Sequence, residues 1–193
     1  MTFDREQIVA LSVAPEDAEA RAEELRRWLH ARRFAVSDPA AVEAFPPNHG
    51  SRPGPRPADL IGPGFTGEPT GRNVAGYPAE SNIIYVDTPA DPDDQLWYYG
   101  GHTGPSECRS CGTAFDDGDF WDAFNAWLEG PEPSITCRAC GSTALMGDQD
   151  VTASIVVSPL AIVLSDAEEL VPELLRALRT DFGGRWALVS YLS

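Results

Sequence analysis

This chain of 193 residues has no long hydrophobic run. Its longest apolar stretch, residues 155–164, is interrupted by Ser158 and Pro159, so it is too short and too broken to cross a bilayer. The N-terminus also lacks the basic, then apolar, then small-residue order of a secretory signal. These absences predict a cytoplasmic protein that makes no membrane contact.

Lysine is absent as well, and histidine is scarce, with His30, His49 and His102 as the three copies. The chain has no H-E-x-x-H, G-x-S-x-G or Gly-rich nucleotide motif. No sequence motif therefore indicates a common hydrolase or a nucleotide-binding protein. His102 is the one catalytic candidate, because the aromatic run 97–99 beside it can wall a pocket. We therefore expect a non-enzymatic protein, with a metal-stabilised enzyme built around His102 as the alternative.

Positive charge is the next shortage, since 14 arginines face 30 acidic residues and the formal net charge is -16. Residues 1–33 hold six arginines and seven acids, whereas residues 112–136 hold six acids and no arginine. Proteins that bind nucleic acid neutralise phosphates with Lys and Arg, so this distribution argues against a nucleic-acid partner. It favours another protein with a basic surface as the partner.

All four cysteines lie in two matched pairs that follow the template C-R-[SA]-C-G. Four thiolates suit a tetrahedral ion, and two residues between the cysteines of a pair let both sulfurs face inward. The glycine after each second cysteine accommodates the positive φ of a sharp turn, and the arginine after each first cysteine can offset the thiolate charge. The predicted metal ligands are Cys108, Cys111, Cys137 and Cys140, supported by Arg109, Gly112, Arg138 and Gly141.

These two motifs resemble the knuckles of zinc-ribbon and rubredoxin-like sites, and the resemblance covers residues 106–142 only. It implies a bound metal, with zinc as the expected ion. Iron with electron transfer is the rival, and two disulfides or free buried thiols are the alternative without metal. Four cysteines fill a tetrahedron and leave no position for water, so we expect a structural rather than a catalytic ion.

The 25 residues between the two pairs predict a short acidic helix, because Phe120, Phe124 and Trp127 recur at helical spacing next to Trp121. In one interpretation, these aromatic side chains pack on the knuckles or on the main sheet. In the other, they anchor a partner protein that the acidic rim attracts.

The rest of the chain predicts the order strand, helix, strand, insert, strand, helix, strand, which indicates an α+β protein with a ferredoxin-like split βαβ sheet. Residues 1–105 and 143–193 then form one discontinuous domain, and residues 106–142 form a zinc-ribbon insertion. Residues 46–80, with eight prolines and seven glycines, predict a long surface loop without regular elements. The predicted strands are 7–13, 82–86, 151–164 and 186–192, and the predicted helices are 15–33 and about 172–182.

Together these features predict an acidic zinc-binding protein that acts as an adaptor, an inhibitor or an immunity-type partner. Because the cysteines close a local loop, we expect metal removal to unfold residues 106–142 and to spare much of the flanking sheet.

Overall fold

The computed structural model describes residues 5–32, 34–37, 60–61, 83–88, 96–99, 104–165 and 170–191, and these form an α+β structure with three α-helices. Short 3₁₀ turns lie at Pro15–Asp17 and Met146–Asp148. The strands are β1 Arg5–Ala10, β2 Val36–Ser37, β3 Leu60–Ile61, β4 Ile83–Asp87, β5 Leu96–Tyr99, β6 Ser134–Thr136, β7 Thr143–Leu145, β8 Ile155–Ser158, β9 Ala161–Ser165 and β10 Trp186–Tyr191. The helices are α1 Ala18–Ala31, α2 Asp117–Glu129 and α3 Val171–Ala177.

The main sheet has six strands in the order β10-β1-β9-β4-β3-β2, and every pair of neighbours is antiparallel. Strands β1 and β9 each pair with a neighbour on both sides, and the side chains of Ile8, Val9 and Ile162 in them are fully buried. Two smaller antiparallel pairs, β5 with β8 and β6 with β7, belong to the segment between β4 and β9. The predicted insertion therefore lies between two neighbouring strands of the main sheet.

Helices α1 and α3 form because one face of each is apolar, and the ends of α3 carry residues that start and stop a helix. In α1, Ala22, Leu25 and Leu29 are buried, as their spacing predicts. Pro172 lies in the first turn of α3, where its missing N–H costs nothing. A π-turn, Leu178–Phe182, extends α3 to Gly183, whose φ of 83° ends the helix.

The two faces of the main sheet are covered by different layers. Alternate residues of the strands pack against α1 and α3 and form what we call the helix-side core, which includes Ile8, Ile84, Ile162, Leu25 and Leu174. The residues between them pack against residues 104–158, which carry the four cysteines and which we call the cysteine segment. This second cluster, the insert-side core, includes Val9, Ala161, Ala187 and Val189 of the main sheet together with Tyr98, Cys108, Phe120, Trp127, Cys137 and Val157.

The long β-prone stretch 151–164 is not one strand, which corrects the sequence-based prediction. Strand β8 ends at Ser158 in the small sheet, and β9 begins at Ala161 in the main sheet. Pro159 cannot donate a ladder hydrogen bond, so the chain breaks there. The Ser158 hydroxyl replaces part of the lost pairing, since it donates to the Ala10 carbonyl at 2.6 Å and accepts from the Leu160 N–H at 3.1 Å.

Other element bounds shift by a few residues, and one short strand was not predicted. Within the Pro/Gly-rich segment 46–80, residues 60–61 form strand β3 between β2 and β4, so this loop does contain a regular element. The rest of that segment lies outside the described residues. None of the described helices combines the length and apolar character needed to cross a bilayer.

Candidate metal centre

The four cysteine sulfurs converge in the structure. Every pair of them lies within 4.8 Å, and the distances Cys108 to Cys140 and Cys111 to Cys137 are both 3.7 Å. A tetrahedron with metal–sulfur bonds of about 2.3 Å has edges of about 3.8 Å, so these separations fit four ligands of one ion. They are far longer than a disulfide bond, and all four thiols are free. The four-cysteine cluster can therefore hold a metal ion.

Each knuckle has the same backbone turn. The N–H of Gly112 donates to the Cys108 carbonyl at 2.7 Å, and the N–H of Gly141 donates to the Cys137 carbonyl at 2.8 Å. These glycines have φ values of 71° and 73°, which a side chain at Cβ would disfavour. The expected need for glycine is thus met in both knuckles, because each chain reverses directly behind its second cysteine.

The residue after each glycine closes its knuckle through a backbone carbonyl, and sequence reasoning missed this contact. The Cys108 N–H donates to the Thr113 carbonyl and the Cys137 N–H to the Ser142 carbonyl, both at 2.9 Å. A hydroxyl residue follows the glycine in both motifs, so the repeated pattern C-G-[TS] was the available signal.

The electrostatics of the cluster favour a bound cation. Hydrogen bonds from the Thr113 hydroxyl and backbone lower the pKa of Cys111 to about 6, so its thiolate forms readily. Cys140 receives a backbone hydrogen bond from Ser142 that acts in the same direction, yet its pKa rises to about 12 because the other sulfurs lie beside it. Four thiolates at these distances repel one another, and a cation between them removes that cost.

The two arginines join the knuckles to neighbouring elements, which adds to the expected role of offsetting thiolate charge. Arg109 Nη1 donates to the Asp148 carbonyl at 3.3 Å, and its backbone N–H donates to Gln149 Oε1 at 3.1 Å. Arg138 forms ion pairs with Asp119 at 2.6 Å and with Asp116 at 3.5 Å. Each arginine therefore holds its knuckle against another segment.

Helix α2 fills the gap between the knuckles, as the sequence predicts. The Asp116 carboxylate caps its N-terminus by accepting from the Gly118 N–H at 3.0 Å, and the same side chain pairs with Arg138. Asp116 therefore links the start of α2 to the second knuckle. The side chains of Phe120, Phe124 and Trp127 are buried in the insert-side core.

Burial of these three aromatics agrees with the first interpretation of the stripe and removes them from any contact surface. Trp121 is 36% exposed and Leu128 is 39% exposed, and they are the large apolar side chains that the described part of the chain leaves at the surface. Any contact surface on α2 is therefore limited to Trp121 and Leu128, with exposed acids beside them.

A charged clamp joins the cysteine segment to the main sheet. Arg185, directly before β10, makes a two-bond pair with Glu132 at 2.7 and 3.1 Å and also contacts Asp148 at 2.7 Å. These carboxylates raise the pKa of Arg185 above its usual value, so the guanidinium stays charged. Sequence reasoning missed this clamp, because nothing in the spacing of three distant residues indicates that they meet.

Gly147 permits the close approach that the clamp requires. A Cβ built on this glycine would lie 2.7 Å from a Leu11 methyl carbon and 2.9 Å from a Glu132 oxygen. Its N–H donates to the same Glu132 carboxylate at 2.7 Å. The segment after β7 therefore touches the end of β1 with backbone alone.

His102 and most of its neighbours, as well as His49, lie outside the described residues, so the enzyme alternative stays a prediction. Near His102 in sequence, the buried Tyr98 hydroxyl lies 3.4 Å from a carboxylate oxygen of Asp87.

Comparisons with protein-family models, with curated proteins and with solved structures found no match to this chain. The interpretation therefore depends on the geometry.

Proposed function

We propose that this chain is a non-enzymatic, acidic zinc-binding protein in which a structural ion holds a segment used for contacts with another protein. The convergence of four cysteine sulfurs at tetrahedral distances carries the proposal. Such a ligand set leaves no position for substrate or water, so the ion acts through structure. An adaptor, an inhibitor or an immunity-type partner fits this description, and reduced thiols agree with the cytoplasm.

Zinc is the proposed ion, because tetrathiolate sites with a closed ligand set most often hold it. Iron fits the same sulfur distances, and a rubredoxin-like iron site would assign electron transfer instead. Elemental analysis of the purified protein distinguishes the two. One zinc per chain and no colour are expected, whereas a red protein that bleaches on reduction would replace zinc by iron.

For the main domain we propose a ferredoxin-like arrangement. The four long strands run β10-β1-β9-β4 and are all antiparallel, with helices α1 and α3 between them in sequence. This is the order expected for a split βαβ unit repeated twice. The proposed division into residues 1–105 and 143–193 on one side and 106–142 on the other follows from the sequence. The insert-side core joins the two parts, because Met146 and Val157 pack in it with Phe120 and Cys137.

The proposed contact surface on α2 consists of Trp121 and Leu128. They lie seven residues apart, which places them on the same side of the helix, and the exposed acids Asp117, Asp122 and Glu129 flank them. A half-exposed tryptophan within an acidic rim suits a partner that presents apolar and basic side chains. The net charge of -16 also attracts a basic partner at long range.

Affinity capture from the native host with quantitative mass spectrometry tests this surface. The variant Trp121→Ser with Leu128→Ser is compared with Ala126→Ser, a matched change at an exposed position on another side of α2. Partner recovery should fall by roughly tenfold or more in the double variant, as at interface hot spots, and should be unchanged in the control. Equal recovery with all three proteins would reject the helix surface, while an intact zinc content would leave the structural role of the metal standing.

A further inference from the structure

A cleft of about 610 Å³ lies along the outer edge of β10. Strand β10 is the last strand of the main sheet and pairs only with β1 among the described strands. Leu175 and Arg179 line the cleft from the α3 side, and residues 147–152 with Arg109 line it from the cysteine segment. The cleft is therefore a slot at the edge of the sheet, between the layers that cover its two faces.

The backbone groups of β10 that face this slot follow from the strand register. The Leu11 N–H donates to the Arg185 carbonyl at 2.9 Å, so Arg185 and every second residue after it direct their backbone groups toward β1. Trp186, Leu188 and Ser190 consequently direct theirs outward, into the slot.

The two ends of this edge are covered, and the centre is open. Arg179 Nη2 donates to the Trp186 carbonyl at 2.8 Å, and the Ser190 N–H donates to the Thr152 carbonyl at 2.8 Å. Between them, the N–H and the carbonyl of Leu188 have no hydrogen-bond partner among the described residues. An unpaired edge of this kind accepts an added strand, because each free donor and acceptor gains a partner.

The charges around the slot select what such a strand would carry. Arg109 and Arg179 donate to backbone carbonyls and form no ion pair with a described residue. Of the acids in the slot, Asp148 is paired with Arg185, whereas Asp150 and Glu107 keep their charges on the same side of the slot as Arg109. The α3 side contributes Arg179 and no acid among the described lining residues, so Arg179 is the guanidinium group most available to a carboxylate.

We propose that the β10 edge binds a short extended peptide segment of a partner protein, paired with Leu188 and carrying a carboxylate that Arg179 or Arg109 holds. Side chains of an extended segment alternate between the two sides of the sheet, so an acidic residue on either side meets an arginine. The segment is short, because Trp186 and Ser190 are already bonded at the two ends. This surface is separate from that on α2 and stands without it.

The test is selection of phage-displayed random linear dodecapeptides on the metal-loaded full-length chain, followed by affinity measurement of the selected peptides. We expect sequences that alternate apolar and other residues and contain Asp or Glu. Leu188→Pro removes the outward N–H at an edge position where proline is tolerated, and should weaken binding by about tenfold or more. Arg179→Gln should weaken it by about fivefold to tenfold, whereas Arg176→Gln, outside the slot, should leave it unchanged.

Two further measurements separate a lost site from a lost fold. The metal content and thermal midpoint of each variant show whether it is folded, and the Leu188 amide of the unmodified chain should exchange more slowly with solvent when peptide is bound. Peptides that bind Leu188→Pro as well as the unmodified chain, a predominance of basic peptides, no change at the Leu188 amide, or recovery of no binding peptide would each overturn the proposal.

Discussion

The main sheet is covered by two helices on one face and by the cysteine segment on the other. On the helix side, aliphatic residues such as Leu25, Leu174 and Ile162 are fully buried, and burial of apolar area is the dominant stabilising term. The insert side instead combines aromatic rings, the buried Cys108 and Cys137 of the four-cysteine cluster, and the Arg185 clamp. Short strands such as β6 and β7, with three residues each, need this added support. The helix-side layer is held mainly by apolar packing, whereas the insert-side layer adds a four-cysteine cluster that can hold a metal ion and a charged clamp.

The largest effect should follow removal of the metal. It should unfold the insert-side layer and leave the helix-side layer folded, so it tests the difference between the two layers directly. Structural zinc contributes roughly 10–16 kcal/mol in isolated zinc-binding peptides, so the insert-side core should open on chelation. Hydrogen exchange after chelator treatment should rise across residues 104–158, while α1 and α3 stay protected.

Because Val9 and Val189 of the main sheet belong to the insert-side core, their strands should also bind a hydrophobic dye such as ANS after chelation. This sharpens the sequence-based expectation that residues 106–142 alone would unfold. Equal loss of protection in α1 and α3 would contradict independence of the two layers.

Leu174→Ala probes the helix side. Leu174 is fully buried, so the free energy of unfolding should fall by about 2–5 kcal/mol. Chemical denaturation measures this loss, and the affinity for zinc, measured by competition with a chelating dye, should be unchanged. A drop in zinc affinity that parallels the loss in stability would show that the two layers act as one.

Glu132→Gln probes the clamp between the layers. Removing the charge of Glu132 should leave Asp148 as the remaining ion-pair partner of Arg185 in the clamp. The free energy of unfolding should fall by roughly 2–4 kcal/mol, which is less than for a fully buried pair because Arg185 is 32% exposed. Denaturation at low and high salt measures the effect. Glu129→Gln, at the exposed end of α2, is the matched control, and an equal effect in both variants would reject the clamp.

Gly147→Ala tests the contact between the segment after β7 and the end of β1. The added methyl group would meet Leu11 and Glu132, so stability should fall by about 1–3 kcal/mol. Gly104→Ala is the control, because its Cβ would meet no atom within 4 Å. A thermal midpoint that is unchanged in Gly147→Ala would show that Leu11 moves aside freely.

Thr113→Val should give the smallest effect, confined to the pH dependence of the metal site. The thiolate of Cys111, with a pKa of about 6, is lost as pH falls through that value. Without the Thr113 hydroxyl the pKa rises toward its usual value, so zinc should be released at a higher pH. A zinc-release titration measures the midpoint, with Ser142→Ala as the control in the other knuckle. An unchanged or lower midpoint in Thr113→Val would contradict the role of this hydroxyl.

Much of the candidate site was predictable because its information is local. The repeated C-R-[SA]-C-G motif identified all four converging cysteines, and Gly112 and Gly141 have the positive φ that the turn predicts. The buried face of α1 and the stripe of α2 follow from spacing along one helix. Proline alone would have indicated the break at Pro159, which the prediction of a single strand overlooked.

The remaining features depend on residues far apart in the chain. Arg185 meets Glu132 across 53 positions, and Gly147 meets Leu11 only after β1 and the segment after β7 are brought together. The unpaired edge of β10 likewise follows from its position as the last of the described strands of the main sheet.

By itself, the sequence determined that this protein has a four-cysteine cluster able to hold a metal, an acidic aromatic helix between the two cysteine pairs, and an α+β pattern. Each of these depends on spacing within a few turns of chain, where covalent geometry limits the choices. Only the tertiary structure decided that the cysteine segment packs on one face of strands β1, β9 and β10, which of its aromatics are buried, and where an edge of the described sheet stays open. Those outcomes depend on which distant surfaces exclude water together, and no local pattern carries that information.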